Sequence, residues 1–313
     1  IMSSDWSSDV CSSDLLEKAG SFCFDTETTG IDANQAELVG IAFAVKPGEA
    51  WFVSLSEIYN DCLEIVQEFK PLFENEKIGK IGQNLKYDIA MLKWYDVDVK
   101  GKLFDTMLAH YLIQPDMRHN MDLLAETYLD YKPVPIEELI GKKGKNQLSV
   151  RSVNLEVLKD YASEDADITL QLKDALEPEL KEAGAMELFN DIEVPLVPVL
   201  ASMEAEGVKL DINALRDYSM QLEAEIFELE KEIHIQAGIE FNIASPKQLG
   251  EILFEKLVIT KKPKKTKTGQ FSTGEDVLSK LINKHPIVQM ILDYRQLTKL
   301  KSTYVDTLPD LVN

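Results

Sequence analysis

The chain has 313 residues, of which 45% are apolar, and it carries a formal net charge of −21. A chain of this length can bury a sizeable core, and its length predicts two domains. Its apolar runs are short, and the run Val194–Met203 is broken by two prolines, so none reaches the ~20 residues that span a bilayer. These values predict a soluble globular protein with no membrane partner.

The charge and the cysteines bear on partner and compartment. A strongly negative chain is a poor candidate for binding nucleic acid, because phosphate contacts come mainly from clustered Lys and Arg. Local patches of charge matter more for binding than the net charge, however. A site for divalent metal ions is itself a concentration of carboxylates, so it adds to the negative charge. The three cysteines form no Cys-x-x-Cys pair and the four histidines lack zinc-ligand spacing, which favours a reducing cytoplasm.

The chain begins with a Ser/Asp-rich tract, IMSSDWSSDVCSSD, that has no helical or strand period. It lacks the basic and apolar segments of a signal peptide, and it resembles translated adapter or vector sequence more than a natural leader. We predict that residues 1–15 are a disordered or artefactual tail.

The next part predicts an α/β domain over residues 16–184. Three apolar and aromatic runs predict strands: SFCFDTETTG, AELVGIAFAV and AWFVSL. Helical patterns then alternate with short strands in CLEIVQEFKPLFE, KIGQNLKYDIAMLKWY, LFDTMLAHYLI, MDLLAETYL and LEVLKDYASEDADITLQLKDALEPELKEAG. This order is typical of a mixed sheet flanked by helices.

Five residues in this domain could form one site. Asp25 and Glu27 lie two apart in the first strand, so both carboxylates face the same side. Asp88 falls on the first turns of a helix, and i,i+4 spacing stacks the Tyr161 hydroxyl above the Asp165 carboxylate. Each residue alone has a structural explanation that is at least as good, such as an acidic strand end or a helix-capping acid. Only the combination favours a divalent metal site.

Two further acids lie beside Asp165 in the same helix. Glu164 and Asp167 fall off the face that carries Tyr161 and Asp165. We therefore interpret both as solvated charges.

The motifs DTETTG, GQNLKYD and YASED resemble, in order and spacing, those of the DEDDy 3′–5′ exonucleases of the bacterial DNA polymerase I family. The segments LFDTMLAHYL, HNMDLLAETYL and GKKGKNQLS are similar to the same family. The resemblance implies a ribonuclease H-like domain that proofreads during DNA replication and repair. It would remove 3′-terminal nucleotides as nucleoside 5′-monophosphates by two-metal phosphodiester hydrolysis.

The resemblance also assigns roles to the five residues around two divalent ions, Mg²⁺ or Mn²⁺. Asp25, Glu27 and Asp165 would bind one ion, and Asp25 with Asp88 the other. Tyr161 and Glu27 would orient the attacking water, as in the tyrosine branch of this superfamily.

Substrate contacts are implied at the edge of the same site. By resemblance, Ile31 would wedge against the terminal base, while Gln83, Asn84 and Tyr87 would contact the last nucleotides of a frayed single strand. Ordinary packing explains Ile31 and Tyr87 equally well. Relatives often carry an aromatic residue where this chain has Ile136.

Residues 185–313 predict an all-α segment. A long amphipathic helix follows an N-cap at Asp211 or Asn213 and ends at Gly238. It is expected to pair in an antiparallel hairpin with the helix in HPIVQMILDYRQLTKLKSTYVDTL, and a dimeric coiled coil is the alternative. The chain is expected to be a monomer.

A basic segment lies between these two helices, with five lysines in the seven residues 261–267. We interpret it as a flexible loop that contacts phosphates, with a solvated linker or a localisation-like signal as the alternative. The thumb of family A DNA polymerases is similar in sequence to three segments of this part: SPKQLGEILF, KTKTGQFST and LKSTYVDTLP. That resemblance implies that Lys264, Lys265 and Lys267 grip a primer-template duplex.

No palm, fingers or 5′ nuclease segment lies within residues 1–313, so we expect a fragment without polymerase activity. Two alternatives to a proofreading exonuclease stay open: an RNase D-like exoribonuclease that uses the same residues, and a non-catalytic DNA-binding fragment. The thumb-like half disfavours the first alternative. The five residue types in register disfavour the second.

Overall fold

The computed structural model describes residues 2–5 and 11–312, with side chains from Leu15 to Val312. The chain divides into two compact units, Ile1–Gly207 and Val208–Asn313. Each unit has a hydrophobic core of its own. The domain bounds given above, with a break after residue 184, stay a prediction. Among the described residues, no helix combines the length and apolar character that a membrane span requires.

The first unit is built on a mixed sheet, in which the described strands follow the order β1-β4-β3-β2-β5-β6. The strands are β1 Met2–Asp5, β2 Ser21–Thr28, β3 Leu38–Lys46, β4 Glu49–Ser54, β5 Gly79–Gly82 and β6 Leu103–Asp105. Strands β2, β3 and β4 form an antiparallel meander, and β5 and β6 extend it in parallel from β2. The three strands predicted from sequence are this meander, and the predicted fold class is confirmed.

Helices cover the two faces of this sheet. They are α1 Cys11–Ala19, α2 Tyr59–Phe73, α3 Leu85–Lys93, α4 Thr106–Ile113, α5 Met121–Leu129, α6 Ile136–Ile140, α7 Leu155–Glu182, α8 Met186–Leu188 and α9 Val194–Glu206. A 3₁₀ turn at Val150–Ser152 precedes α7, and a π-helical turn at Phe189–Glu193 joins α8 to α9.

The two faces of strand β2 carry different side chains towards its end, because successive side chains point to opposite faces. On one face, the rings of Phe22 and Phe24 pack edge-on against Phe73 of α2, with centroids 5.6 and 5.0 Å apart. On the other face, Asp25 and Glu27 turn towards α7. The period of two thus places aromatic packing and acidic chemistry on opposite sides of one strand.

The N-terminal tract contains more regular structure than the sequence predicts. Strand β1 pairs in parallel with β4, and α1 begins at Cys11. Without β1, strand β4 would be a sheet edge whose free N–H and C=O groups invite another strand, and this explains the pairing. Residues 6–10 lie outside the described residues, and the origin of the tract stays a prediction.

The second unit is helical. Its elements are α10 Ile212–Ala237, α11 Pro246–Glu251, α12 Glu275–Leu278 and α13 Pro286–Leu300, with π-helical turns at Ile252–Lys256 and Lys301–Val305 and 3₁₀ turns at Ser279–Lys284 and Leu308–Leu311. Asp211 caps α10 by accepting from Ala214 N, and Gly238 ends it with φ 65°.

The predicted helical hairpin is present within this unit. Near the start of α10, the Ser219 hydroxyl donates to Asp306 Oδ1 at 2.7 Å, just beyond the end of α13. Near the end of α10, Ile233 shares a buried cluster with Ile287 at the start of α13. The two helices therefore run antiparallel, as predicted, and they pair within one chain.

Candidate active site

Three carboxylates meet where β2 passes under α7. Asp25, Glu27 and Asp165 each offer an oxygen within 4.8 Å of the others. Glu27 and Asp165 are buried, and Asp25 is half-buried. The strand period aligns the first two acids, and the packing of α7 across β2, β3 and β4 brings the third. This is an oxygen-rich set of the kind that hard divalent cations prefer.

Burial makes these negative charges costly. Burial raises the pKa of Asp25 to about 6. Burial, and then the charge of Asp25, raise the pKa values of Glu27 and Asp165 well above their usual range. Asp165 Oδ1 is buried and has no hydrogen-bond partner among the described residues. A divalent cation fits this group, because it supplies both the missing partner and the compensating charge.

Tyr161 lies one helical turn before Asp165, as the i,i+4 spacing predicts. Its side chain is half-buried, and its hydroxyl donates towards the Asp165 carboxylate. Burial, then the charges of Asp165 and Glu27, raise the pKa of Tyr161. The hydroxyl therefore keeps its proton and can act as a donor at neutral pH.

Asp88 lies outside the group of three acids. It is buried on α3, and its Oδ1 accepts hydrogen bonds from the Thr26 N–H, at 3.2 Å, and from the Thr26 hydroxyl. Burial, and then the charge of Asp25, raise its pKa well above the usual range. Asp88 therefore interacts electrostatically with Asp25, although its carboxylate is held by Thr26.

Asp105 holds the turn that leads to Asp88. It is buried at the end of β6, and it accepts from Asn84 N at 3.3 Å and from Leu85 N at 2.8 Å. Asn84 takes up a left-handed conformation with φ 61° just before α3. Asp105 also caps α4. Sequence reasoning missed it, although an Asp-Thr pair after a short strand is a common helix start.

Ile31 and Tyr87 are two of the residues that the resemblance places against the terminal bases. Ile31 is 88% exposed, so ordinary core packing does not explain it. Tyr87 is half-buried, and its hydroxyl bonds to Thr28 Oγ1 at 2.6 Å and to the Gly30 carbonyl. These bonds tie the start of α3 to the turn that carries Ile31.

Gln83 is engaged within the protein at both ends of its amide. Its Nε2 donates to the His119 carbonyl at 2.7 Å, and its Oε1 accepts from the Thr106 hydroxyl. The Gln83 side chain therefore joins the start of α3 to the segment before α5.

The interpretation of Glu164 and Asp167 as solvated charges is wrong. Both side chains are buried. Glu164 accepts from the Tyr131 hydroxyl and, at 3.0 Å, from Val134 N, whereas Asp167 accepts from Gly48 N at 2.7 Å and from Gln171. Helix α7 packs against the sheet and also against α4 and α5, so it has more than one buried face.

The lysine segment, predicted as a flexible loop, forms a small hairpin. Lys265 and Phe271 form an antiparallel bridge, and Ser272 N donates to the Lys264 carbonyl at 2.8 Å. Gly269 allows the turn with φ 83°. The side chains of Lys264, Lys265 and Lys267 are exposed.

Comparison with known proteins identifies the family. Residues 3–181 match a family model described as a 3′-5′ exonuclease, and residues 212–313 match DNA polymerase family A. The chain belongs to the 3′-5′ exonucleases of DNA polymerase I-like proteins. A domain of this family implies the use of divalent metal ions, and the acids described above fit that use.

Several relatives support this assignment. The chain is 42% identical to DNA polymerase I of Pseudomonas aeruginosa, over 95% of this chain and 34% of that protein. It is 40% identical to DNA polymerase I of Borreliella burgdorferi, over 95% of this chain and 32% of that protein. The chain thus spans about a third of the length of these relatives.

A solved structure is similar over nearly the whole chain. The POL domain of Pol1 from M. smegmatis, in complex with DNA primer-template and dNTP, matches with a TM-score of 0.79 and 25% identity. The match covers 99% of this chain and 51% of that chain. It supports both the exonuclease fold and the helical polymerase segment that follows.

Proposed function

We propose that this chain removes 3′-terminal nucleotides from single-stranded DNA and is the proofreading part of a monomeric, cytoplasmic DNA polymerase I-like enzyme. The observation that carries the proposal is the buried, unpaired Oδ1 of Asp165 beside Asp25 and Glu27, inside an exonuclease domain. Such an oxygen, among acids with raised pKa values, suits a cation better than it suits a purely structural role.

The proposed cofactors are two divalent ions, Mg²⁺ or Mn²⁺. Asp25, Glu27 and Asp165 would hold one ion, and Asp25 with Asp88 would hold the other. The support for a shared Asp25 is electrostatic, because its charge raises the pKa values of both Asp88 and Asp165. When bound, such ions activate the attacking water and stabilise the charge that develops on the phosphate.

Residues of the chain would orient the attacking water. With an ion bound, the Tyr161 hydroxyl, which keeps its proton, would turn from Asp165 and donate its one hydrogen bond to the attacking water, and the Glu27 carboxylate would accept one from that water. The water oxygen forms the new bond to phosphorus as the bond to the 3′ oxygen breaks; the water gives up a proton to solvent, and the departing 3′ oxygen takes one up from solvent. The products are a nucleoside 5′-monophosphate and a DNA strand with a new 3′ hydroxyl.

The strand end would lie against the turn after β2. Ile31 is exposed and free to wedge against the terminal base, and Tyr87, Asn84 and Gln83 would line the path of the last nucleotides. The bond from Tyr87 to the Gly30 carbonyl supports a joint role for Tyr87 and Ile31. Because Gln83 is engaged at both ends, its contact would come through a rearranged amide.

The lysine hairpin would bind duplex DNA in the second unit. Lys264, Lys265 and Lys267 are exposed, and the similar polymerase structure contains a primer-template. Replacing all three with Gln should reduce the salt slope of duplex binding by roughly two to three units, since each phosphate contact contributes about 0.9. Replacing Lys46, Lys77 and Lys100 of the first unit provides a control with the same change in charge, and an equal effect on the slope would reject the hairpin as the duplex site.

A metal-dependent nuclease assay tests the catalytic proposal. We expect Mg²⁺ or Mn²⁺ to support release of dNMP from the 3′ end of single-stranded DNA, and EDTA or Asp25→Ala to abolish it. Release at the same rate by Asp25→Ala would reject the site. An RNA strand of the same sequence provides a second arm, in which preferential cleavage of RNA would favour an exoribonuclease.

A further inference from the structure

Thr26 lies between two acids of the proposed metal site, but its side chain leaves β2 on the opposite face. It is 8% exposed, and it contacts Asp88, which is 3% exposed. The Thr26 N–H and hydroxyl both donate to Asp88 Oδ1. A single residue thus supplies two donors to one carboxylate oxygen from a different element.

The edge of β2 is open to Asp88 at this point. Parallel pairing between β2 and β5 ends at Cys23 and Ile81. Strand β5 itself ends at Gly82, where an added Cβ would come within 2.3 Å of the Leu85 side chain. Beyond this point, Asp88 of α3 occupies the place of a strand partner, and it takes the N–H of Thr26.

Both hydrogen bonds use the same oxygen of Asp88. No described residue donates to Asp88 Oδ2. A carboxylate with no such bonds rotates over a broad range, because the terminal torsion of Asp has no sharp minima. Two donors from a rigid strand fix that rotation and leave Oδ2 as the oxygen for a cation. Partners of this kind are known to orient ligating carboxylates in metal sites.

We infer that Thr26 is a positioning residue that presents Asp88 Oδ2 to the second metal ion. The inference rests on the proposed function, since it needs Asp88 to be a metal ligand. It concerns a residue that is not among the five proposed site residues. In this role the Thr26 side chain contacts the Asp88 carboxylate, and Asp88 would be the ligand. The Thr26 hydroxyl acts through Asp88 alone.

Two substitutions at Thr26 separate the hydroxyl from the methyl group. Thr26→Val keeps the shape and the backbone N–H but removes the hydroxyl, whereas Thr26→Ser keeps the hydroxyl. Thr273→Val is the matched control, because Thr273 is a buried threonine of the second unit whose hydroxyl bonds to Arg295. Each variant of the full chain is titrated with Mn²⁺ in the absence of DNA and assayed for dNMP release, and thermal unfolding checks that it folds.

We expect Thr26→Val to weaken Mn²⁺ binding about tenfold at one site and to slow dNMP release about 10- to 100-fold. For Thr26→Ser, Mn²⁺ affinity and the rate of dNMP release should both stay within about threefold of the wild type. For Thr273→Val, both should equal the wild-type values. A folded Thr26→Val protein with wild-type Mn²⁺ binding and release would overturn the inference. Equal losses in Thr26→Ser and Thr26→Val would also overturn it, since the hydroxyl would then be irrelevant.

Two other results are still informative. If Thr26→Val does not fold, Thr26→Ala against Thr26→Ser provides the same contrast, and equal Mn²⁺ binding by the two would overturn the inference. If the wild type binds Mn²⁺ but releases no nucleotide, the proposed function is wrong. The Mn²⁺ titration by itself then decides the role of Thr26.

Discussion

Helix α7 carries two kinds of buried acid, and their hydrogen bonds distinguish them. Glu164 and Asp167 each accept two hydrogen bonds from neighbouring groups. Asp165 lies between them, is similarly buried, and keeps Oδ1 without a partner. An unpaired buried polar atom costs roughly 1–3 kcal/mol, so it calls for a compensating role. On α7, the two acids whose carboxylates accept two hydrogen bonds hold the fold, whereas the acid with an unpaired oxygen is suited to a metal ion.

Replacing Asp165 tests the functional side of this comparison most strongly. We expect Asp165→Asn to lower dNMP release about a thousandfold, equivalent to about 4 kcal/mol of transition-state stabilisation. The free energy of unfolding without metal should not fall, because the change removes charge repulsion with Asp25 and Glu27. Kinetic assays and denaturant titration measure the two quantities, and substantial unfolding of the variant would contradict the distinction.

Tyr161→Phe removes the donor to Asp165 without removing a carboxylate. Turnover should fall about 100-fold, within the range for a group that positions a reacting proton, while Mn²⁺ affinity stays nearly unchanged. Turnover assays and calorimetric titration with Mn²⁺ separate the two effects. A large loss of Mn²⁺ affinity would show that Tyr161 supports the ligands themselves.

Replacing Glu164 tests the structural side. Glu164→Ala leaves the Tyr131 hydroxyl and Val134 N–H without their acceptor, so the free energy of unfolding should fall by about 2–3 kcal/mol. Mn²⁺ binding by the folded variant should be retained. Chemical denaturation measures the stability, and Mn²⁺ titration at low temperature measures the binding. Loss of Mn²⁺ binding with unchanged stability would show that Glu164 has a metal-binding role and not a structural one.

The pH dependence of stability provides a subtler test. The folded pKa of Asp25, about 6, lies above its unfolded value, so its contribution to stability is full below about pH 4 and is lost as pH rises through about 6. In EDTA, the stability of Asp25→Asn relative to wild type should therefore increase over this window. Mn²⁺ should raise the wild-type Tm more at pH 7.5 than at pH 5, because protons compete for the same oxygens. A stability difference between Asp25→Asn and wild type that does not change with pH would argue against a raised pKa at the half-buried Asp25.

Local periodicity predicted a large part of the fold and of the candidate site. The meander of strands, the helical hairpin and the facing of Asp25 with Glu27 follow from periods of 2 and 3.6 residues, which are properties of the backbone. The stacking of Tyr161 over Asp165 has the same origin. Short motifs in the right order then pointed to the exonuclease family, which the comparisons confirm.

Tertiary packing decided the rest. Glu164 and Asp167 looked solvated because a helical period identifies one buried face, whereas α7 is covered on several sides. The bonds from Thr26 to Asp88 and from Asp105 to the turn before α3 join residues far apart in the chain, and no local pattern records them. The sequence by itself determined which acids share a face, and only the folded structure decided which of them already have hydrogen-bond partners.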